Sequence, residues 1–160
     1  MRCHTPDLTI TQASGRDPLF KGFAPRVKHR KENMETEIIQ IPPIKLRWSD
    51  WYDWESLKRD ARKGEGVSVP DEPGVYEVKY KDSDERLTIG KASNLRMRVK
   101  QGLIKGKARH SAGDKIRKNE DTSQIVIRWA VTERPAAAEE ELHRRHAEKF
   151  GRLPKYVEHT

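Results

Sequence analysis

The sequence lacks the features of secreted, disulfide-stabilised and membrane-spanning proteins. Cys3 is the one cysteine among 160 residues, so no disulfide can form within the chain. No apolar run approaches the roughly 20 residues that a transmembrane helix needs. The opening residues, MRCHTPDLTITQ, also lack the apolar segment of a signal peptide. We therefore expect a cytoplasmic protein that does not associate with a membrane.

Apolar residues are scarce as well. They make up 34% of the chain, against 36% charged residues, which supports one small core with part of the chain outside it. Residues 1–40 show no helical or strand periodicity and are expected to be a disordered basic tail or an upstream extension of the reading frame. Residues 41–69 are predicted to be an extended segment followed by a Trp-rich helix over residues 50–63. Residues 70–160 are predicted to form the main domain.

Acidic residues are too few to balance the basic ones. Lys and Arg total 33 against 25 Asp and Glu, so the formal net charge is +8. Between residues 91 and 118 the imbalance is larger, with ten Lys or Arg and a single acid, Asp114. This density favours a polyanionic partner over a merely solvated basic loop, and it predicts salt-dependent binding of DNA, with RNA as an alternative. The residues from which we expect nucleic-acid contacts are Arg96, Lys100, Lys105, Lys107, Arg109, His110 and Lys115.

The main domain is expected to combine a small sheet with helices. Residues 75–81 alternate apolar and polar side chains, and residues 86–90 return after a polar turn, which predicts a β-hairpin. A helix is expected from Leu95 to Gly102, followed by a cation-rich loop around Gly106 and Gly113. The β-branched run SQIVIRWAV, residues 123–131, predicts a central strand. Pro135 suits the first turn of a last helix that Gly151 ends.

Several residues near the hairpin suit phosphodiester chemistry. Tyr76, Lys91 and Arg98 are predicted to lie around one sheet edge. Glu139 precedes Leu142 by three positions and therefore shares the core-facing stripe of the last helix. A carboxylate there could hold a hard cation such as Mg²⁺ through oxygen. The alternative is an ordinary acidic first turn that complements the helix dipole.

The order of these segments resembles a known family. Gly74-Val75-Tyr76 is followed by Thr88-Ile89-Gly90, Lys91-Ala-Ser-Asn-Leu95, Arg98, a helical glutamate and a terminal Leu-Pro-Lys-Tyr. In this order and spacing, residues 70–158 resemble the GIY-YIG nuclease family, including small stand-alone members and the domain found in the incision subunit of bacterial excision repair. The resemblance implies an α+β fold with a three-stranded antiparallel sheet flanked by helices. It also implies a single-metal DNA endonuclease that uses Mg²⁺ or Mn²⁺.

The resemblance further implies roles for individual residues. Tyr76 would orient or deprotonate the attacking water, and Arg98 and Lys91 would neutralise charge on the phosphoryl group. Thr88 occupies the first position of the second motif. Glu139 would be the metal ligand, with the register open by one residue toward Glu140.

Two positions depart from the family pattern. Thr88 stands where the family usually has tyrosine, and it keeps a hydroxyl but loses the ring. Val157 stands where the family has asparagine. These departures support a second hypothesis, a nucleic-acid-binding module on the same fold with weakened catalysis. A third hypothesis is a basic interaction protein whose motif match is accidental, and in any of these a protein partner could supply specificity.

Overall fold

The computed structural model describes residues 42–59 and 66–157 of the chain. The predicted tail, residues 1–40, lies outside the described residues. The elements run β1 (Tyr52–Asp53), α1 (Trp54–Lys58), β2 (Gly74–Tyr80), β3 (Arg86–Ala92), α2 (Met97–Ile104), α3 (Ser111–Asn119), a short 3₁₀ turn (Thr122–Gln124), β4 (Ile125–Val131) and α4 (Pro135–Phe150). Within the described ranges, no helix has the length and apolarity needed to cross a membrane.

The sheet is antiparallel and has the strand order β1-β4-β2-β3. The predicted hairpin of β2 and β3 is confirmed, and β4 lies inside the sheet between β1 and β2 as expected. The predicted count of three strands is wrong, because β1 adds a fourth at the open side of β4. Two residues suffice there, since Tyr52 stacks on Trp129 with ring centroids 5.1 Å apart and so buries aromatic surface as well as pairing backbone.

The helical predictions hold at the C-terminus and fail near the N-terminus. The last helix begins at Pro135 and ends at Gly151, whose φ of 71° closes it in a left-handed conformation. The helix predicted over residues 50–63 is wrong, because α1 is helical only over Trp54–Lys58 and the preceding residues pair with β4. Among the described residues of the predicted apolar stripe, Trp54 and Leu57 are buried. Residues 60–63 of that prediction lie outside the described part.

Two further helical boundaries differ from the prediction. α2 continues past Gly102 and is wound as a π-helix, with the Lys105 N–H donating to Lys100 O. The expected cation-rich loop instead contains a whole helix, α3, because Ala112 and Ile116 provide a short apolar stripe that packs inward. Both helices stand over the face of the sheet that carries Tyr76.

The main core lies between that face of the sheet and α1, α2 and α3. Period-2 alternation along β2 and β4 directs large side chains to it. Its fully buried members include Trp54, Leu57, Tyr76, Val78, Leu95, Leu103, Ile116, Ile125 and Ile127. On the opposite face a smaller cluster joins the sheet to α4 through Val75, Ala130 and Ala138.

The opposite face also carries a buried ionic cluster. Glu77, whose side chain is 4% exposed, accepts hydrogen bonds from Arg86 Nε at 3.0 Å and from Arg128 Nε at 2.8 Å. The guanidinium of Arg128 lies 4.2 Å from the ring centroid of Trp48 and 4.4 Å from that of Trp51. These two tryptophans therefore pack against the domain as cation–π partners.

Side chains of α4 cover the outer edge of β3. His146 Nε2 accepts from the Arg86 N–H at 3.1 Å, His143 Nε2 lies 3.1 Å from Ile89 O, and Glu139 Oε1 accepts from the Lys91 N–H at 3.0 Å. Residues 139, 143 and 146 follow the i, i+4, i+7 spacing of one helix face. The helix thereby satisfies backbone groups that an edge strand would otherwise leave open, and it fixes Glu139 beside the hairpin.

Candidate active site

A cleft of about 440 Å³ opens where β2, β3, α2, α4 and the C-terminal segment meet. The structure brings every residue predicted for catalysis or metal binding to this cleft. Its polar lining includes Tyr76, Thr88, Lys91, Arg98, His110 and Glu139. Residues from five separate segments thus face one space, although up to 63 positions separate them in sequence.

A glycine opposite Tyr76 makes room for the tyrosine ring. Tyr76 and Gly90 are partners in the β2–β3 register. A Cβ atom at position 90 would lie 2.4 Å from Tyr76 Oη and 2.6 Å from Cζ. Any other residue there would displace the phenol, so the glycine of the second motif is explained by close approach of a side chain rather than by an unusual backbone angle.

His110 fixes the hydroxyl of Tyr76 from the other side. Its Nε2 lies 2.8 Å from Tyr76 Oη, and its Nδ1 accepts from the Gly113 N–H at 2.9 Å at the start of α3. A peptide N–H can only donate, so in the neutral imidazole the proton resides on Nε2, which donates to Tyr76. Burial lowers the pKa of His110 to about 4, and Arg98 acts in the same direction. The imidazole is therefore neutral at physiological pH.

Tyr76 itself is almost completely enclosed at the base of the cleft. Burial raises the pKa of its phenol to about 12, Arg98 opposes the rise, and Glu139 adds to it. The phenol is therefore protonated at neutral pH. The hydroxyl accepts from His110, and the Arg98 guanidinium lies close enough to favour its charged form.

Arg98 places a positively charged guanidinium group at the base of the same cleft. Its Nε is buried and has no hydrogen-bond partner within residues 42–59 and 66–157, and its Nη1 makes only a long contact of 3.4 Å to Arg109 O. A buried cationic donor without an acceptor costs free energy. An anion in the cleft would supply the missing acceptor, and a phosphate offers the geometry that a guanidinium matches.

Glu139 faces the cleft, whereas Glu140 is exposed outside it. Glu139 Oε2 pairs with Lys91 Nζ at 2.6 Å, while Oε1 holds the Lys91 backbone N–H. The Lys91 side chain is 54% exposed on a flexible stem, so its ammonium can leave the carboxylate when another cation arrives. The motif left Glu139 and Glu140 as alternative candidates for the metal ligand. The position of Glu139 in the cleft favours Glu139.

The donor set fits a hard cation held by one protein carboxylate. Across the described ranges, no group of three or more His, Cys, Asp or Glu residues lies close enough to hold a metal ion. Glu139 Oε2 faces the cleft, and an incoming cation could displace its partner, the Lys91 ammonium. A divalent cation there would take most of its remaining oxygen ligands from water and from a substrate phosphate, as Mg²⁺ commonly does.

The two departures from the family motif share one wall of the cleft. Thr88 is buried, and its Oγ1 lies 3.4 Å from Tyr156 O. Val157 lines the same wall. The C-terminal segment is held in place because the Tyr156 N–H donates to Leu87 O at 2.8 Å and its hydroxyl donates to Glu120. This wall is therefore smaller and more apolar than a tyrosine and an asparagine would make it.

The residues predicted to contact nucleic acid separate into two groups. Lys100 and His110 are buried, with Lys100 Nζ donating to Arg59 O at 3.1 Å. Their burial corrects the expectation of surface phosphate contacts. Arg96 is exposed but pairs with Asp71 at 2.7 Å. The remaining members are partly or fully exposed, and they are Lys105, Lys107, Arg109 and Lys115.

The contact between His110 and Tyr76 is the feature of the candidate site that the sequence did not predict. The two residues are 34 positions apart, and the helix that His110 caps was not predicted. The signal available was the string HSAGD, in which a polar residue precedes a short amphipathic run. Histidine is an uncommon cap, so the string by itself did not identify a helix start.

Lowering the pH is expected to reduce the folding stability because His110 is buried in its neutral form. The folded-state pKa of His110, about 4, lies below the ordinary histidine pKa of 6.5. The unfolded chain therefore binds the proton first, so this part of the stability is present above pH 6.5 and is lost as pH falls toward 4. We expect a loss of up to about 3 kcal/mol over that window. Urea unfolding from about pH 7 to about pH 4 measures it.

His110→Asn is the matched control. Asparagine is a favoured N-cap, so it can still accept from Gly113 while it removes the imidazole. The variant should show a flatter dependence of unfolding free energy on pH within the same window, since all other titrating groups are shared. Identical pH profiles for the two proteins would contradict the buried neutral imidazole.

In a comparison with solved structures, the chain matches the GIY-YIG N-terminal endonuclease domain of UvrC from Thermotoga maritima. Three point mutants of that domain, each bound to the catalytic divalent cation, match at 22%, 23% and 21% identity with TM-scores of 0.38, 0.38 and 0.37. Each match covers 63% of this chain and 99% of the other. No protein-family model and no curated protein matches the sequence. The function is therefore argued from the cleft itself.

Proposed function

We propose that this chain is a metal-dependent endonuclease that hydrolyses phosphodiester bonds in DNA with a single cation. The observation that carries the proposal is the convergence of a phenol, a guanidinium, an ammonium and a carboxylate on one cleft. Each belongs to a different chemical class, and together they match the needs of phosphoryl transfer: positioning of water, stabilisation of the phosphoryl charge and binding of a cation.

The substrate phosphate would bind against Arg98 and Lys91. Arg98 has an unmet buried donor, and the exposed ammonium of Lys91 pairs with Glu139. Arg98 would therefore gain an anionic acceptor when a phosphodiester enters, and Lys91 would exchange its carboxylate partner for a phosphate. Because negative charge on the phosphoryl oxygens increases toward the transition state, these contacts would strengthen during the reaction and accelerate it.

Glu139 is the residue that would hold the cation. When bound, a divalent cation would supply Lewis acidity toward the phosphoryl group. Glu139 is positioned for this by its bond to the Lys91 N–H, which fixes one carboxylate oxygen and directs the other into the cleft. Release of the Lys91 ammonium from Oε2 would then provide a phosphate contact at the same time.

Tyr76 would position the attacking water. Its hydroxyl is anchored by the donated bond from His110, so the oxygen cannot turn away from the cleft. The phenol is protonated at rest, and removing the water proton through it requires incoming positive charge to lower its pKa. In the reaction, the water oxygen would form a bond to phosphorus and the bond from phosphorus to the leaving oxygen would break. The water proton would pass to solvent, or to the Tyr76 phenolate once the phenol has given its own proton to solvent, and the leaving oxygen would take a proton from solvent.

Plasmid nicking tests the proposal. The purified protein should convert supercoiled DNA to the open circle with Mg²⁺ or Mn²⁺ and should stop when EDTA is added. Arg98→Ala should be inactive while folding normally, because it removes an unpaired charge from the floor of the cleft. Arg144→Ala is the control, since Arg144 is an exposed arginine that does not line the cleft. Equal nicking by the wild type and Arg98→Ala would contradict the assignment.

The second candidate function is a nucleic-acid-binding module with weakened catalysis. It is favoured by Thr88 and Val157, which make one wall of the cleft less polar. This candidate predicts salt-dependent binding of DNA or RNA, measured by fluorescence anisotropy, without nicking under any metal condition. A protein partner that supplies specificity is compatible with either function.

A further inference from the structure

A second groove adjoins the cleft and shares two of its residues. It has a volume of about 300 Å³ and is lined on one side by Lys91 and Arg98, which also line the cleft. Ala92, Met97 and Ala108 give it an apolar surface, and Arg109 adds a third cation. No acidic residue lines it within the described part of the chain. Whatever occupies the groove therefore lies next to the group bound by Arg98.

Met97 stands out in this groove. It is 52% exposed, and with Val131 it is one of two exposed large hydrophobic residues in the described ranges. Its backbone is fixed, since the Met97 N–H donates to Asn94 Oδ1 at 2.9 Å. Isolated apolar side chains on a surface are ordinary. Met97 differs from Val131 because it shares its groove with three cations.

An apolar side chain among cations matches the chemistry of one nucleotide unit. A nucleotide combines a flat apolar base face with anionic phosphates, and methionine adapts well to flat polarizable surfaces. An acidic peptide would satisfy the cations but would leave Met97 uncovered. A neutral apolar ligand would cover Met97 but would supply no anion to the guanidinium groups of Arg98 and Arg109. The charge and apolar pattern together favour the nucleotide.

We propose that this groove holds the nucleotide next to the scissile phosphate, with Met97 packing against its base. The inference rests on the proposed function, because the shared Arg98 and Lys91 define which phosphate is cut. Met97 is then a specificity-determining residue: it contacts the base, and the enzyme distinguishes a strand that carries a base at this position from one that lacks it.

The test uses a duplex oligonucleotide in which the cleavage position has been mapped. Single abasic residues are placed, one at a time, at each position flanking the scissile phosphate. For the wild type, one adjacent abasic position should lower the cleavage rate by about 10-fold, within the range that loss of one stacked base produces. Met97→Ala should cut the intact duplex about 5- to 10-fold more slowly, and it should lose sensitivity to that abasic position.

Val131→Ala is the matched control, since Val131 is the other exposed large hydrophobic residue and does not line the groove. It should keep both the wild-type rate and the sensitivity to the abasic position. If Met97→Ala cleaves the intact and abasic duplexes in the same ratio as the wild type, this inference is overturned while the proposed function stands. If the wild type cuts no duplex, the proposed function fails and the inference fails with it.

Discussion

Glu139→Gln is expected to lower the rate of metal-dependent cleavage by about 10²- to 10³-fold, the scale on which single transition-state contacts act. Glutamine can still accept the Lys91 N–H through its amide oxygen, so the cover on the edge of β3 is preserved. What it loses is the anionic oxygen that faces the cleft. The single-turnover rate of cleavage of a labelled duplex, measured across a series of Mn²⁺ concentrations, provides the readout.

Glu140→Gln is the matched control for this substitution. Glu140 is the neighbouring residue on α4, and it is exposed outside the cleft. Its loss removes the same charge from the same helix turn, so the general electrostatic effect on DNA binding is shared between the two variants. We expect Glu140→Gln to stay near the wild-type rate. If both variants lose activity equally, the assignment of Glu139 as the cation ligand is wrong.

Glu77→Gln is expected to destabilise the fold by about 3–5 kcal/mol, the usual cost of removing one partner from a buried ion pair. Glu77 is buried between Arg86 and Arg128, with Arg128 Nη2 at 2.7 Å from its Oε2. Without the carboxylate charge, two partly buried guanidinium groups face each other uncompensated. Urea unfolding at neutral pH measures the change through the transition midpoint.

Glu141→Gln is the matched control for stability. Glu141 also accepts from two arginines, Arg144 and Arg145, but its side chain is 39% exposed on α4. Water and salt screen such surface pairs, so removing the charge should leave the midpoint almost unchanged. A large loss for Glu141 or none for Glu77 would show that burial is not what determines the strength of these ionic clusters.

The hairpin, β4 and α4 could be predicted because their signals are local. Alternation along residues 75–81, the β-branched run before Val131, and the pair Pro135 and Gly151 each act within a few residues. The elements that were not predicted depend instead on contacts between distant residues. β1 forms because Tyr52 stacks on Trp129, and α3 forms because Ile116 packs into the main core. In both cases the contacting residues are far away in the sequence.

The same distinction between local and long-range information applies to the candidate site. The types and order of residues, from Tyr76 through Arg98 to Glu139, could be read from the motif spacing. The side chain that each of these residues contacts could not be predicted from the spacing. His110 was expected to contact phosphate, yet it is enclosed against Tyr76, and Lys100 was expected at the surface, yet it is buried. Side-chain contacts between distant segments depend on how elements pack, and the spacing of charges along the chain carries no information about that.

By itself, the amino-acid sequence determined the excess of positive charge, the strand and helix periods of the hairpin, β4 and α4, and the kinds of functional groups available. Only the tertiary structure decided which of these groups meet, which glutamate faces the cleft, and on which nitrogen His110 carries its proton. The reason is physical: charge and periodicity follow from neighbours within a turn or a strand. Burial and hydrogen-bond partners follow instead from the close packing of segments that are far apart in the chain.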